Sequence, residues 1–289
     1  MADRPADTPY VRTLSGTPPR LKAPPGTCDT HIHFYRDGVP TLPGTLTPPE
    51  ATVAEYRQVM QWLGIERAVV VQPNAYGDDN SVTMAGVKTL GDNARAAVVV
   101  KPGVSDETLE ALTRGGARAI RFMNLLGGTL TLDALDEMAP RVQPFGWSAV
   151  VQLDGTMLPD YEAKLKRMPV KYVIDHCGKF LSPVAPEDEA FRAMMRLVET
   201  GRCWVKIAAA YEFSKEGAPH FEDVGRLMRV LVKEAPDRVI WATNWPHAAA
   251  AKVGYPNDAA LMDLLLDWAP NETVRRKILA DNPAELYGF

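Results

Sequence analysis

Eight short runs rich in β-branched and small apolar residues recur along this 289-residue chain, at 27–33, 68–72, 96–101, 117–122, 147–153, 171–176, 203–208 and 238–243. Segments with apolar residues at helical spacing lie between them, clearest at 54–63, 106–114, 189–199 and 221–233. Such alternation builds a parallel sheet with helices on its outer face. Start-to-start spacings of roughly 20 to 40 residues leave room for one strand, one helix and two loops per unit. Eight units close a sheet on itself, so the expected fold is α/β, a (β/α)8 TIM barrel.

Local punctuation agrees. Gly64, Gly115, Gly116 and Gly201 follow presumed helices, where a left-handed cap is favoured, and Pro159, Pro219 and Pro270 stand near presumed starts. Residues 257–282 read as one or two closing helices, the last stopped by Pro283. Residues 1–25, rich in proline, read as a loosely ordered arm, and 26–289 as a single barrel.

Composition narrows the partner. A hydrophobic content of 46%, with 24% charged residues, supplies an ordinary globular core. A formal net charge of -4 argues against a general nucleic-acid or anionic-membrane surface while permitting a local basic pocket. No uninterrupted run of 18 apolar residues occurs, and the first 25 residues lack the apolar centre of a secretory signal. The three cysteines, Cys28, Cys177 and Cys203, form no Cys-x-x-Cys pair. These features predict a cytoplasmic protein with a small-molecule partner, and they leave the oligomeric state open.

In a (β/α)8 barrel the reactive groups collect at the carboxyl ends of the strands. Run one ends in His31 and His33, which alternate along a strand and so share a face with backbones ~7 Å apart. Asp29, of the same parity, is expected lower on that face, holding an imidazole tautomer. A hydrogen-bonded core pair is the alternative, but two polar rings on one buried face are costly without a task. Run two ends in Gln72 with Asn74, run four in Arg121, run five in Gln152 and run six in His176. Run seven contains Lys206 and leads to Tyr211, and run eight ends in Asn244 within Ala-Thr-Asn-Trp-Pro-His. Arg121 and Lys206 each sit between apolar neighbours, a position that calls for a buried anion, and a substrate carboxylate would serve. Gln72, Asn74, Gln152 and Tyr211 are weaker signals, since amides and phenols often only satisfy loop backbone. His247 reads as a rim residue.

Thr-His-Ile-His in run one, Ile-Asp-His-Cys-Gly-Lys in run six and Thr-Asn-Trp-Pro-His in run eight resemble the amidohydrolase superfamily. The branch they resemble most is that of 2-pyrone-4,6-dicarboxylate lactonases and related sugar-acid lactone enzymes. The likeness runs from about residue 26 to 289 and includes a terminal Asn282-Pro283-Ala284. It implies an amidohydrolase-like barrel in which His31, His33, His176 and Asn244 are catalytic. Metal-binding members add a lysine or glutamate on strand four, a histidine on strand five and an aspartate at the end of strand eight. Those places here hold Met123 or Asn124, Gln152 and Asn244. The resemblance therefore implies a metal-independent site without cofactor, in which histidines polarise a lactone carbonyl directly.

Asn244 bears on the reaction. The corresponding aspartate of the lactonases resembles a general base for water, and a carboxamide cannot accept that proton. A site that activates the carbonyl but not water suits attack by a hydroxyl of the substrate itself. The lactone isomerases of this branch, which convert D-galactaro-1,5-lactone to the 1,4-lactone in galacturonate catabolism, follow that logic. On this reading Arg121 and Lys206 hold the distal carboxylate, while Gln72, Asn74, Gln152 and Tyr211 meet hydroxyls. The alternatives are a metal-independent lactonase using another base such as His247, an aspartate-to-asparagine variant of a lactonase, and a silent sugar-acid binder.

Overall fold

A computed structural model describes residues 12–250 and 254–289. Eight parallel strands pair in chain order, β1 (Cys28–Ile32), β2 (Arg67–Val71), β3 (Ala94–Val98), β4 (Ala117–Met123), β5 (Ser148–Gln152), β6 (Tyr172–Ile174), β7 (Cys203–Ile207) and β8 (Val239–Trp241). β8 returns to β1: the His33 N–H donates to the Trp245 carbonyl at 2.8 Å, and the Asn244 N–H to the His31 carbonyl at 3.1 Å. The molecule is thus the expected (β/α)8 barrel.

The outer layer consists of α1 (Val53–Leu63), α2 (Ser81–Leu90), α3 (Asp106–Arg114), α4 (Leu135–Val142), α5 (Leu158–Lys166), α6 (Glu189–Val198) and α7 (Glu222–Glu234). α1 shows how sequence writes such an element. Thr52 caps its start while Glu55 reaches back to the Thr52 N–H, a reciprocal capping box. Tyr56, Val59 and Leu63 recur at helical spacing and are buried. Gly64 ends the helix at φ 75°, a left-handed conformation that costs glycine little.

Alternation along the strands sorts the side chains into two cores. One residue or more from every strand, among them Cys28, Val69, Ala97, Ala119, Val150, Val173, Trp204 and Ile240, forms an apolar column closed by Leu286 and Tyr287. Their neighbours, such as Val70, Ile120, Val151, Ile174 and Val205, face the helices. Two positions further along the same inward faces stand Arg121, Gln152, Asp175 and Lys206, so an apolar floor supports a polar layer.

β1 departs from simple alternation. Cys28 and Asp29 pair with Arg67 and Ala68, but Ile32 pairs with Val70, so β1 carries one extra residue across this stretch. The bulge reverses the parity of everything before it. Asp29 therefore does not share the face of His31 and His33, and it holds no imidazole. It turns toward α1 and β8, accepting from Tyr56 Oη at 3.0 Å, Thr243 Oγ1 at 2.5 Å, Thr243 N at 3.1 Å and His31 N at 3.2 Å.

The C-terminal end also corrects an expectation. α8 (Asp258–Asp263), α9 (Leu265–Trp268) and α10 (Glu272–Arg276) are followed by a π-helical turn, Lys277–Asp281, and then α11 (Asn282–Tyr287). Pro283 does not stop a helix; it lies in the first turn of α11, where a missing N–H and a fixed φ cost least. Residues 12–25 form no helix or strand but are tied to the barrel: the Trp62 indole donates to the Thr17 carbonyl at 3.0 Å, and the Arg20 guanidinium meets Asp263 at 3.1 Å. The remainder of the expected arm, residues 1–11, lies outside the described residues. Among the described residues no helix is long and apolar enough to cross a membrane.

Candidate active site

The carboxyl ends of the strands surround a cavity of about 300 Å³ lined by His33, Asn74, Arg121, Gln152, His176, Lys179, Glu212 and Asn244, with Leu46 and Leu126 at its rim. A larger groove of about 540 Å³, with Ser81, Met84, Thr108 and Leu112 in its wall, has Lys101 and Asp78 as its charged lining groups. Those two form an exposed pair at 2.7 Å. The chemistry is at the barrel mouth.

His31 and His33 meet as expected, with their Nε2 atoms 3.2 Å apart. The network fixes their tautomers. His33 Nδ1 lies 2.7 Å from the Val71 carbonyl, which can only accept, so Nδ1 bears the proton. Burial, reinforced by Arg121, holds the protonated form of His33 down to about 3. The ring is therefore neutral, and its Nε2 presents a lone pair. His31 must then donate from Nε2, and its Nδ1 accepts from the Lys206 ammonium at 3.1 Å. His31 itself is fully buried beneath His33.

Lys206 is not at the mouth. It is fully buried, with Nζ 2.7 Å from Asp175 Oδ1. The buried anion that its position demands belongs to the protein. The register explains why: Ile174 pairs with Val205, so the next residues, Asp175 and Lys206, stand side by side on the inward face. Against burial, which raises it, the Lys206 and Arg121 charges hold the Asp175 carboxyl below its ordinary range.

Gln72 also turns away from the cavity, because it shares the outward parity of Val70. Its amide nitrogen donates to the carbonyls of Gly77 at 3.1 Å and Asp79 at 2.8 Å, and its oxygen accepts from Thr83 at 2.6 Å. The side chain is wholly used in holding the loop after β2. Asn74 does reach the cavity wall, against the Met123 sulfur. Arg121 donates to the Gln72 carbonyl at 2.5 Å and to Gln152 Oε1 at 2.8 Å, and its Nε has no partner among the described residues.

Beyond β6 and β8 the backbone is strained. His176, Cys177 and Lys179 have φ of 54°, 56° and 45°, and Asn244 and His247 have φ of 66° and 62°. Side chains seldom adopt this region, and such strain concentrates at functional sites. It lets His176 turn its ring beside His31, with centroids 4.7 Å apart, and leaves His176 Nδ1 unpartnered among the described residues. Asn244 donates from Nδ2 to Tyr211 Oη and to Glu212 Oε1, each at 2.9 Å. Tyr211 stands behind Asn244 rather than in the cavity wall, 2.9 Å from His247 Nδ1, and His247 Nε2 is 2.9 Å from Asp258. His247 is thus fully buried instead of lying on the rim.

Two groups at this site were not assigned from sequence. Asp175 and Lys179 lie within the run-six motif, and strand parity would have placed Asp175 beside Lys206. Lys179 pairs with Glu212 at 2.5 Å across the mouth. That contact joins the loops after β6 and β7, and only their relative placement reveals it.

His31, Asp175 and His176 bring ligand-type atoms within 4.8 Å of one another. The donor set does not suit a divalent cation. The Lys206 ammonium already holds Asp175 and the His31 Nδ1, Arg121 adds positive charge, and an amide occupies position 244. The same positive surroundings suit an anionic organic substrate.

The amidohydrolase family model matches residues 28–289. The chain belongs to the amidohydrolase family. It is 38% identical to the D-galactarolactone isomerase of Agrobacterium fabrum over 96% of both chains. It is 32% identical to a 2-pyrone-4,6-dicarboxylate hydrolase of Comamonas testosteroni, over 93% of this chain and 92% of that one. A ligand-free crystal structure from Agrobacterium tumefaciens superposes with a TM-score of 0.91 at 37% identity, covering 96% of this chain and 99% of the other. Within the family, these relatives mark an enzyme that acts on lactones.

The buried histidines of this amidohydrolase predict an acid-labile fold. Burial holds His31 and His176 well below their ordinary range, as it does His33. The unfolded chain takes up three protons below about pH 6.5 that the native state refuses. Stability is therefore lost as pH falls through that value, by roughly 2 kcal/mol for His33 alone at pH 5. Asp29 acts oppositely: burial raises its carboxyl from 3.8 to about 6, so the native state binds one extra proton between those values. Three against one leaves a net loss. The urea midpoint at pH 5 is expected to lie below that at pH 7.5, and equal midpoints would contradict the neutral assignment.

Proposed function

We propose that this protein is a lactone isomerase that converts D-galactaro-1,5-lactone to D-galactaro-1,4-lactone by intramolecular acyl transfer, in galacturonate catabolism. The observation that carries the reading is Asn244, an amide at the carboxyl end of β8 where a hydrolytic site needs a base, within a ring of imidazoles. Kinship with a named galactarolactone isomerase supports it.

In this reaction O4 of the sugar acid attacks C1, an oxyanion forms, and O5 departs. The carbonyl oxygen is met in the cavity by an N–H of His176, while the His31 N–H given to His33 from below fixes the ring beside it. One such donor contributes ~3 kcal/mol to the transition state. The Lys206 ammonium behind His31 favours the tautomer in which His31 donates to His33. Arg121 and Lys179 hold the distal carboxylate, Lys179 taking the place expected for Lys206. Asn74 and Gln152 meet hydroxyls, and Tyr211 acts through Asn244. A tethered hydroxyl prevails over water because effective molarities of well-oriented groups reach about 10⁵ M or more.

Time-resolved NMR with the 1,5-lactone is expected to show the 1,4-lactone before any open diacid, with no oxygen taken from labelled water. A second reading, metal-independent hydrolysis of a sugar-acid or pyrone lactone, is favoured by the Glu212 carboxylate beside Asn244, which is placed to assist water. Immediate appearance of labelled diacid would establish it in place of isomerisation.

A further inference from the structure

Acyl transfer between two hydroxyls leaves a proton to be moved from the attacking oxygen to the departing one, and burial weakens both cavity imidazoles, His33 and His176, as bases for it. His33 presents its Nε2 lone pair, but that atom receives the His31 N–H and its basicity is held down to a value of about 3. His247 is buried between Tyr211 and Asp258 and does not line the cavity. Asn244 has no basicity.

Glu212 lines the cavity, directly after Tyr211 on the loop that follows β7. Its two oxygens are held separately, Oε1 by the Asn244 amide at 2.9 Å and Oε2 by the Lys179 ammonium at 2.5 Å. This clamp orients the carboxylate from both sides, while each oxygen keeps a further lone pair. Three loops, after β6, β7 and β8, meet in the arrangement.

We propose that Glu212 is the proton carrier of the site, and that Asn244 is retained as an amide because it positions this carboxylate. The inference rests on the lactone reading above. The O–H bond of the attacking hydroxyl breaks as its oxygen bonds to the lactone carbonyl carbon, and the proton passes to Glu212. The ring C–O bond then breaks and Glu212 returns the proton to the departing oxygen, so no water is consumed. Besides Lys179 and Asn244, the titratable and charged groups that share the cavity lining with Glu212 are His176 from the loop after β6, Arg121 from β4 and His33 from the end of β1, with His247 behind Asn244 through Tyr211.

The test compares the full-length wild-type protein with Glu212→Gln and Glu212→Asp on D-galactaro-1,5-lactone, measuring kcat and KM across pH 4.5–9 alongside a thermal melt. General acid–base groups contribute about 10²–10⁴-fold. Glu212→Gln is expected to lose on the order of 10²-fold or more in kcat with KM changed little, and to lose the acidic limb of the profile. Glu212→Asp is expected to recover a large part of that rate and the limb with it. A kcat for Glu212→Gln near the wild type, a loss confined to KM, or a loss explained by a collapsed melt with no recovery in Glu212→Asp would overturn the assignment. A wild-type protein that turns over no lactone would instead defeat the functional reading beneath it.

Discussion

Lys206→Met is expected to lower the thermal midpoint by roughly 10 °C and to abolish most lactone turnover. Lys206 and Asp175 are fully buried and 2.7 Å apart. Removing one partner of such a pair leaves a desolvated charge and costs about 3–5 kcal/mol. In a chain this large each kcal/mol moves the midpoint by about 2–4 °C. The catalytic loss has a separate cause. Without the ammonium at His31 Nδ1, only the His33 lone pair still favours the tautomer that donates from Nε2, and Asp175 Oδ2, 3.5 Å from Nδ1, draws the proton to the other nitrogen. Calorimetry and the NMR assay read the two effects, and the double variant Lys206→Met with Asp175→Leu separates them. An apolar pair recovers stability but no activity. A midpoint for Lys206→Met within about 2 °C of the wild type would mean that Asp175 is neutralised by another route.

Asn244→Asp is expected to divert product from the 1,4-lactone to open diacid, by about tenfold or more, with the shift growing as pH rises. The amide now donates to Glu212 at 2.9 Å. A second carboxylate in that place faces the first at contact distance, and two such groups share one proton until the pH is high enough to remove it. Above that point a base stands at the end of β8 and water is activated. At lower pH the shared proton mimics the amide and isomerisation persists. Labelled water distinguishes the outcomes directly. A partition unchanged across pH would show that Asn244 does not choose the nucleophile.

Much of this site was legible in the chain. The eight apolar runs and the helical spacing between them specify the barrel, because strand and helix periods are local properties. His31 and His33 share a face, and His33, Arg121, Gln152, His176 and Asn244 all reach the mouth, as strand-end positions require. The failures are equally specific. Gln72 lies one residue out of phase with the inward face, which parity from Val69 and Val71 could have revealed. Asp29 was misplaced because the bulge in β1 reverses the strand, and nothing local marks an extra residue that only pairing with β2 defines.

The sequence by itself determined an eightfold βα architecture, a polar layer at one end of it, and an amide, Asn244, at the carboxyl end of its last strand. Only the tertiary structure decided that Lys206 is neutralised by Asp175, that Lys179 takes its place at the cavity, and that Glu212 stands against Asn244. Periodicity acts within a segment, so it can be read from the order of residues. The pairing of buried charges depends on which loops meet across the barrel and at what distance, and Coulomb and desolvation energies are settled only there.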